Sequence, residues 1–250
     1  MSYPCQLVII RVVLVFENLD TFIKRCEDKV LDFIPGFSNS KCRDLPHGIV
    51  FGDFNSPFAH MLHSTRKTLH PVAAVTINSF EEANPIVTEY LRSKFQKVSV
   101  PLVLPGKPEG QNFTRVLVEK VMEKGKIVPW TPQLAVLRHR SVGVFVTHCG
   151  WNSLVESITG GVPLTGRPFL WDQPLNRSTM EDEWKIGVGV EGGVITKEGT
   201  VRALKLILCS EEGKRMRERV GVLKEAALGS MEPNGSSTRN FKSLLEIVYH

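Results

Sequence analysis

The chain has 250 residues, 42% hydrophobic and 23% charged, which excludes a disordered or collagen-like polypeptide and leaves enough length to bury a core. Thirty-one Lys and Arg against 26 Asp and Glu give a net charge of +5, and the densest basic run, Lys214-Arg215-Met216-Arg217-Glu218-Arg219, reads as a solvated helix face rather than a nucleic-acid patch. Five cysteines, an odd number with no Cys-x-x-Cys pair, argue against a disulfide framework or a zinc site and for a reducing, cytoplasmic setting.

Residues 7–16 are apolar apart from Arg11. The run is too short to span a bilayer and lacks the flanks of a secretory signal, so a buried strand is expected and no part of the chain is expected to enter a membrane. Without such a signal, the N-x-S/T triplets at Asn112, Asn176 and Asn234 are chance matches. Apolar runs at 31–34 and 49–51 end at Pro35-Gly36 and Gly52-Asp53. Phe58, Met61, Leu62 and Leu69 predict a helix over 57–69; a buried strand at 72–77 closes on Asn78-Ser79, and a helix follows over 80–95.

Pro101, Pro105, Gly106, Pro108 and Gly110 mark a boundary, dividing the chain into parts at 1–100 and 101–250. Beyond it, strands at 126–129, 142–147, 162–164 and 188–190 alternate with helices at 132–137, 152–159 and 174–186, and helices follow near 197–209, 211–228 and 236–248. That alternation predicts an α/β fold with a parallel sheet, whose ligands sit beyond the carboxyl ends of the strands.

The rule points at His148. Val142-Gly-Val-Phe-Val-Thr-His-Cys-Gly-Trp-Asn-Ser153 carries an apolar strand into a tight turn at Gly150, after which Asn152 or Ser153 is expected to cap a helix. The helix start offers backbone N–H groups and a positive dipole end to a diphosphate, and His148 can donate to a phosphate oxygen. Glu156, four residues after Asn152, can accept from ribose hydroxyls. Taken singly, a His after a strand is more often structural and a Glu on a helix more often solvated; together these residues define an anion or nucleotide site. Gly187-Val-Gly189-Val-Glu-Gly192 matches G-x-G-x-x-G but opens no helix and is spurious.

Trp130-Thr-Pro-Gln133, Phe145-Val-Thr-His-Cys-Gly-Trp-Asn-Ser153, Glu156-Ser, Gly161-Val-Pro163 and Trp171-Asp-Gln173 stand in ungapped register over 44 residues, 130–173. The segment resembles the signature of plant UDP-dependent glycosyltransferases. Phe33-Ile-Pro-Gly-Phe37, Arg43-Asp-Leu-Pro46, Gly48-Ile-Val-Phe51, Ile77-Asn-Ser-Phe-Glu-Glu82 and Asn234-Gly-Ser-Ser-Thr238 extend the likeness to flavonoid and anthocyanidin 3-O-glucosyltransferases. The resemblance implies a GT-B-like fold of two Rossmann-like domains, both incomplete here: a remnant of the acceptor-binding domain at 1–100 and the UDP-sugar donor-binding domain at 101–250. It implies that Trp130 stacks on uracil, Gln133 and Glu156 hold the ribose, His148, Asn152 and Ser153 take the phosphates, and Trp151, Asp172 and Gln173 address the sugar. Members ending the signature in Gln favour glucose, so Gln173 argues for UDP-glucose as co-substrate.

The implied activity is inverting, metal-free and cofactor-free transfer of glucose to a small phenolic acceptor, at the 3-hydroxyl of a flavonoid, by a monomer of plant secondary metabolism. The family's acceptor-deprotonating His, oriented by an Asp, has no counterpart here: His47, His60, His63 and His70 stand in the wrong context, and the i, i+3 pair His60 and His63 lacks further metal ligands. No residue is therefore assigned as catalytic. The stretch 106–125 is also shorter than the family's strand–turn–helix–strand segment, which implies a missing βα unit and unfilled sheet positions. The alternative to an active transferase is a UDP-sugar-binding fragment that lacks its general base.

Overall fold

The computed structural model describes residues 28–46, 49, 52–69, 74–95, 97–102, 125–126, 128, 130–190 and 193–249. The strand expected at 7–16, His47, His70 and residues 106–124 lie outside that set. Of the strand expected at 126–129, Lys126 and Val128 are described and belong to no strand.

The first sheet is small. Helix α1 (Pro57–Leu69) precedes β1 (Val75–Thr76), and α2 (Pro85–Lys94) leads to β2 (Val98–Ser99), which pairs in parallel with β1, Val75 opposite Val98. The single helix expected over 80–95 is broken. A 3-10 turn at Glu81–Ala83 ends at Asn84, whose Oδ1 accepts from Val87 N at 3.0 Å, and Pro85 opens α2. Proline fits only the first turn of a helix, so Asn84-Pro85 forces a restart.

The second sheet carries the site. After α3 (Gln133–Leu137) come β3 (Phe145–Thr147), α4 (Trp151–Gly160), β4 (Leu164–Gly166), α5 (Gln173–Ser178) and β5 (Gly187–Gly189), with all strands parallel in the order β3-β4-β5. The strand expected at 162–164 begins later for a local reason. Gly161 takes φ 80° and donates to Ser157 O at 2.8 Å and Ile158 O at 2.9 Å, closing α4 in a left-handed cap, and Pro163 cannot donate to a ladder. The helix expected over 174–186 is α5 followed by a π-helical turn at Thr179–Glu183. Among the described residues β3 has a strand neighbour on one side only, and its Val146 is exposed.

Three helices complete the chain: α6 (Lys197–Cys209), α7 (Glu211–Ser230) and α8 (Ser236–Tyr249). Thr196 Oγ1 caps α6 through Gly199 N and Ser210 Oγ caps α7 through Gly213 N, each at 3.1 Å. Helix α7 packs on α4 and α6, whereas α8 lies on the first sheet, where Ser99 Oγ donates to Asn240 O at 2.8 Å. One apolar core runs through both sheets, from Leu31, Ile34 and Phe80 to Leu154, Ile158 and Leu164. Two indoles bridge the halves: Trp151 Nε1 donates to Asn78 O at 2.7 Å and Trp184 Nε1 to Ala83 O at 3.0 Å, with the rings 5.7 Å apart. No helix among the described residues is long and apolar enough to cross a membrane.

Candidate functional site

Strand β3 ends at Thr147, and His148, Cys149 and Gly150 turn the chain into α4. Cys149 takes φ 65°, a left-handed conformation costly for a residue with a Cβ. Its N–H bonds Thr147 Oγ1 at 3.2 Å, and its carbonyl accepts from Asn176 Nδ2 at 3.0 Å. Burial pushes the Cys149 thiol up to about 12, so it stays protonated and is no nucleophile.

The cap differs from the expectation. Gly150 is the N-cap, no side chain caps the helix, and Asn152 and Ser153 lie in the first turn. A Cβ on Gly150 would stand 2.4 Å from His148 Nε2, which places the exposed imidazole against the helix start. Asn152 is exposed beside it. An uncapped positive helix end flanked by an imidazole and an amide can hold an anion.

Glu156 lies deeper on the same helix and is buried. Gln133 Nε2, at the start of α3, donates to Glu156 Oε2, so the two residues expected at a ribose meet directly. Burial raises the Glu156 carboxyl above its ordinary range, and the Gln133 hydrogen bond pulls the other way. Trp130, three residues before Gln133, is half-buried.

Beyond β4 the loop reaches Asp172 and Gln173, both buried. Gln173 Oε1 accepts from Phe169 N at 2.8 Å and Leu170 N at 3.1 Å, which leaves its amide nitrogen as the group to offer a ligand. Asp172 Oδ2 accepts from Asn176 Nδ2 at 2.7 Å. Asn176 thereby ties the carboxylate to the turn at Cys149.

Trp151, expected to address the sugar, turns its side chain into the core. Its indole is buried beside Trp184 and its N–H is bonded to the carbonyl of Asn78. What it can present at the helix start is backbone. Sequence reasoning also missed Asn176 and an aromatic cleft of about 330 Å³ lined by Phe58, Phe169, Leu170 and Trp171 together with Arg43 and Leu45. The Phe58 and Trp171 rings lie 6.2 Å apart at 27°, and the Arg167 guanidinium sits 4.0 Å over Phe169. The cleft opens directly before Asp172-Gln173. The available signal was the apolar triplet Phe169-Leu170-Trp171 in a loop. A second cleft of about 540 Å³, lined by residues including Lys41, Arg43, Asp44 and Arg177, touches none of the nine expected site residues.

Parallel α/β sheets with an anion-ready strand–helix turn, a buried carboxylate on the following helix and a nearby aromatic cleft define a class of proteins suited to binding an anion or nucleotide. The family model described as UDP-glucoronosyl and UDP-glucosyl transferase matches residues 113–224. An anthocyanidin 3-O-galactosyltransferase of Actinidia chinensis var. chinensis is 38% identical over 89% of this chain and 62% of its own length. An anthocyanidin 3-O-glucosyltransferase of Vitis vinifera is 40% identical over 89% and 62%. The chain thus spans about 62% of the length of these curated relatives. Among solved structures, a UDP-glucose: anthocyanidin 3-O-glucosyltransferase in complex with UDP superposes with a TM-score of 0.81 at 29% identity, covering 97% of this chain and 68% of that one. Phytolacca americana UGT2, complexed with UDP-2fluoro-glucose and pterostilbene, shares the fold with a TM-score of 0.82 at 20% identity over 99% of this chain and 69% of that one. Residues 113–224 match the UDP-glucoronosyl and UDP-glucosyl transferase family, and the chain carries part of the GT-B α/β fold of these transferases.

Proposed function

We propose that this chain binds UDP-glucose across the β3–α4 turn and serves transfer of the glucose, with inversion, to the 3-hydroxyl of a flavonoid-type acceptor. The observation that carries the reading is the pair of linked contacts, Gln133 to Glu156 and Asp172 through Asn176 to the Cys149 carbonyl. They gather distant parts of one 44-residue segment around the start of α4 and beside an aromatic cleft. Trp130 offers uracil a flat face, Glu156 and Gln133 take the ribose, and His148, Asn152 and Ser153 with the helix start take the diphosphate. Asp172 and the Gln173 amide nitrogen meet the sugar. A planar phenol enters the cleft, whose volume of about 330 Å³ is ligand-sized. In the transfer, the acceptor hydroxyl gives up its proton to water, its oxygen attacks the anomeric carbon, the bond from that carbon to the diphosphate oxygen breaks, and UDP departs. Glucose rests on Gln173, because relatives of this chain include both galactosyl- and glucosyltransferases.

Calorimetry with UDP, UDP-glucose, UDP-galactose and ADP tests the donor side. UDP-glucose is expected to bind more tightly than the other three. Absence of UDP binding, or equal binding of ADP, would overturn the reading.

A second reading, a UDP-sugar-binding chain without turnover, is favoured by one observation. Among the described residues, the lining of the aromatic cleft holds no imidazole or carboxylate to take the acceptor proton. Donor binding without formation of a quercetin glucoside would support it, and accumulation of the glucoside would remove it.

A further inference from the structure

Asn176 stands one turn after Asp172 on α5 and is 1% exposed. Its Nδ2 donates to two acceptors on different elements, the Cys149 carbonyl at 3.0 Å and Asp172 Oδ2 at 2.7 Å. A carbonyl and a carboxylate can only accept, so the amide orientation is fixed and both of its N–H bonds are engaged. No other side-chain type of this size presents two hydrogens at that angle. One acceptor is the left-handed residue between His148 and Gly150, where the diphosphate turn is set. The other is the carboxylate that closes on the sugar side of the site.

We propose that Asn176 is a positioning residue for the sugar half of the donor, an inference that rests on the donor-binding reading above. It touches no ligand itself. By tying Asp172 to the Cys149 carbonyl, it fixes the separation between the group that meets the diphosphate and the group that meets the hexose. The two halves of one ligand are then gripped at a set spacing, as supporting hydrogen bonds set ligand-contacting side chains elsewhere. Without Asn176 the Asp172 carboxylate loses the bond at Oδ2 and, with it, the link that sets its distance from the Cys149 carbonyl.

The test is calorimetry on the full chain, with UDP and UDP-glucose each titrated into wild type, Asn176→Ala, Asp172→Ala and the double variant. Loss of a hydrogen bond to a charged group is expected to lower UDP-glucose affinity by about tenfold or more in Asn176→Ala, with UDP affinity changed by less than about threefold. In the Asp172→Ala background, Asn176→Ala is expected to change the UDP-glucose to UDP ratio no further, because the pair acts as one unit. Asn176→Ser is the milder variant. Its hydroxyl can turn back onto the helix carbonyl, as Thr179 Oγ1 does to Leu175 O at 3.0 Å, and it is expected to lose the same ratio as Asn176→Ala.

An equal loss of both ligands, no loss of either, or full additivity in the double variant would overturn the positioning role while leaving the donor site in place. A wild-type chain that binds no UDP would overturn the donor site and this role together.

Discussion

Glu156, Asp172, Gln173 and Asn176 are 7, 8, 9 and 1% exposed, and each is hydrogen-bonded. Phe169, Leu170 and Trp171, immediately before Asp172 in the chain, are 56, 59 and 48% exposed. In the reading proposed above, these four residues form a buried polar network on the donor side, and the acceptor side is an open aromatic face. A buried network is stable only when its members are satisfied, so it admits one ligand chemistry at one spacing. An exposed aromatic face gains from any flat apolar ligand that covers it. For the proposed function, the contrast teaches where selectivity is expected: strict for the nucleotide sugar, tolerant for the phenol.

The largest expected effect tests the strict side. Glu156→Ala is expected to weaken UDP by roughly tenfold to a hundredfold in calorimetry, the scale of a hydrogen bond to a charged group. Glu156→Gln separates function from stability. Burial raises the carboxyl's folded-state pKa above its unfolded value, so its contribution to stability is complete below the unfolded pKa and is lost as pH rises through the folded one. At neutral pH the buried charge opposes folding, and Glu156→Gln is expected to raise the melting temperature while still weakening UDP. Binding has the opposite pH sign. UDP affinity is expected to fall as the solution is acidified through the raised Glu156 pKa, and Glu156→Gln is expected to lose that dependence. A melting temperature that drops in Glu156→Gln would remove burial as the cause.

Next in size is Trp130→Ala. Base stacking on an aromatic ring contributes about 1–3 kcal/mol, so UDP is expected to weaken by about tenfold. Unchanged affinity would take Trp130 out of the site and narrow the network to α3, α4 and α5. On the tolerant side, Trp171→Ala and Phe58→Ala are each expected to weaken a phenolic acceptor by roughly threefold to tenfold, the scale of one aromatic pair. UDP affinity is expected to stay unchanged in both. Loss of UDP binding in either would erase the division between the two sides.

How much was legible follows the same division. Residues 130–173 lie in one stretch, and the strand, tight turn and helix around His148 follow from local pattern, so the parallel sheet and the grouping of Gln133 with Glu156 could be read before the structure. The cleft could not. Phe58 and Phe169 stand more than 100 residues apart, and only tertiary packing brings their walls together. Helix ends also escaped, because Gly150 caps α4 without a side chain and Asn84-Pro85 restarts α2. The burial of the Trp151 indole also escaped, although its position carried a warning. With Leu154, Val155 and Ile158 it forms an i, i+3, i+4, i+7 apolar stripe, the pattern of a helix face turned to the core.

Trp151 therefore supplies the smallest expected effect on binding and a sharp check on the boundary of the network. Trp151→Phe keeps most of the ring volume but removes the 2.7 Å bond to the Asn78 carbonyl. A polar group left unpaired in a part-buried place costs about 1–3 kcal/mol, and each kcal/mol lowers the melting temperature of a chain of this size by roughly 2–4 °C. The variant is expected to melt earlier while the UDP-glucose to UDP affinity ratio stays within about twofold of wild type, below the tenfold scale of a lost charged hydrogen bond. The reverse outcome, an intact melting temperature with a collapsed ratio, would return the indole to the sugar. Since Asn78 Nδ2 also reaches Asn152 Oδ1 at 3.5 Å, a small shift in UDP affinity alone would mean that the first sheet steadies the diphosphate turn through this one residue.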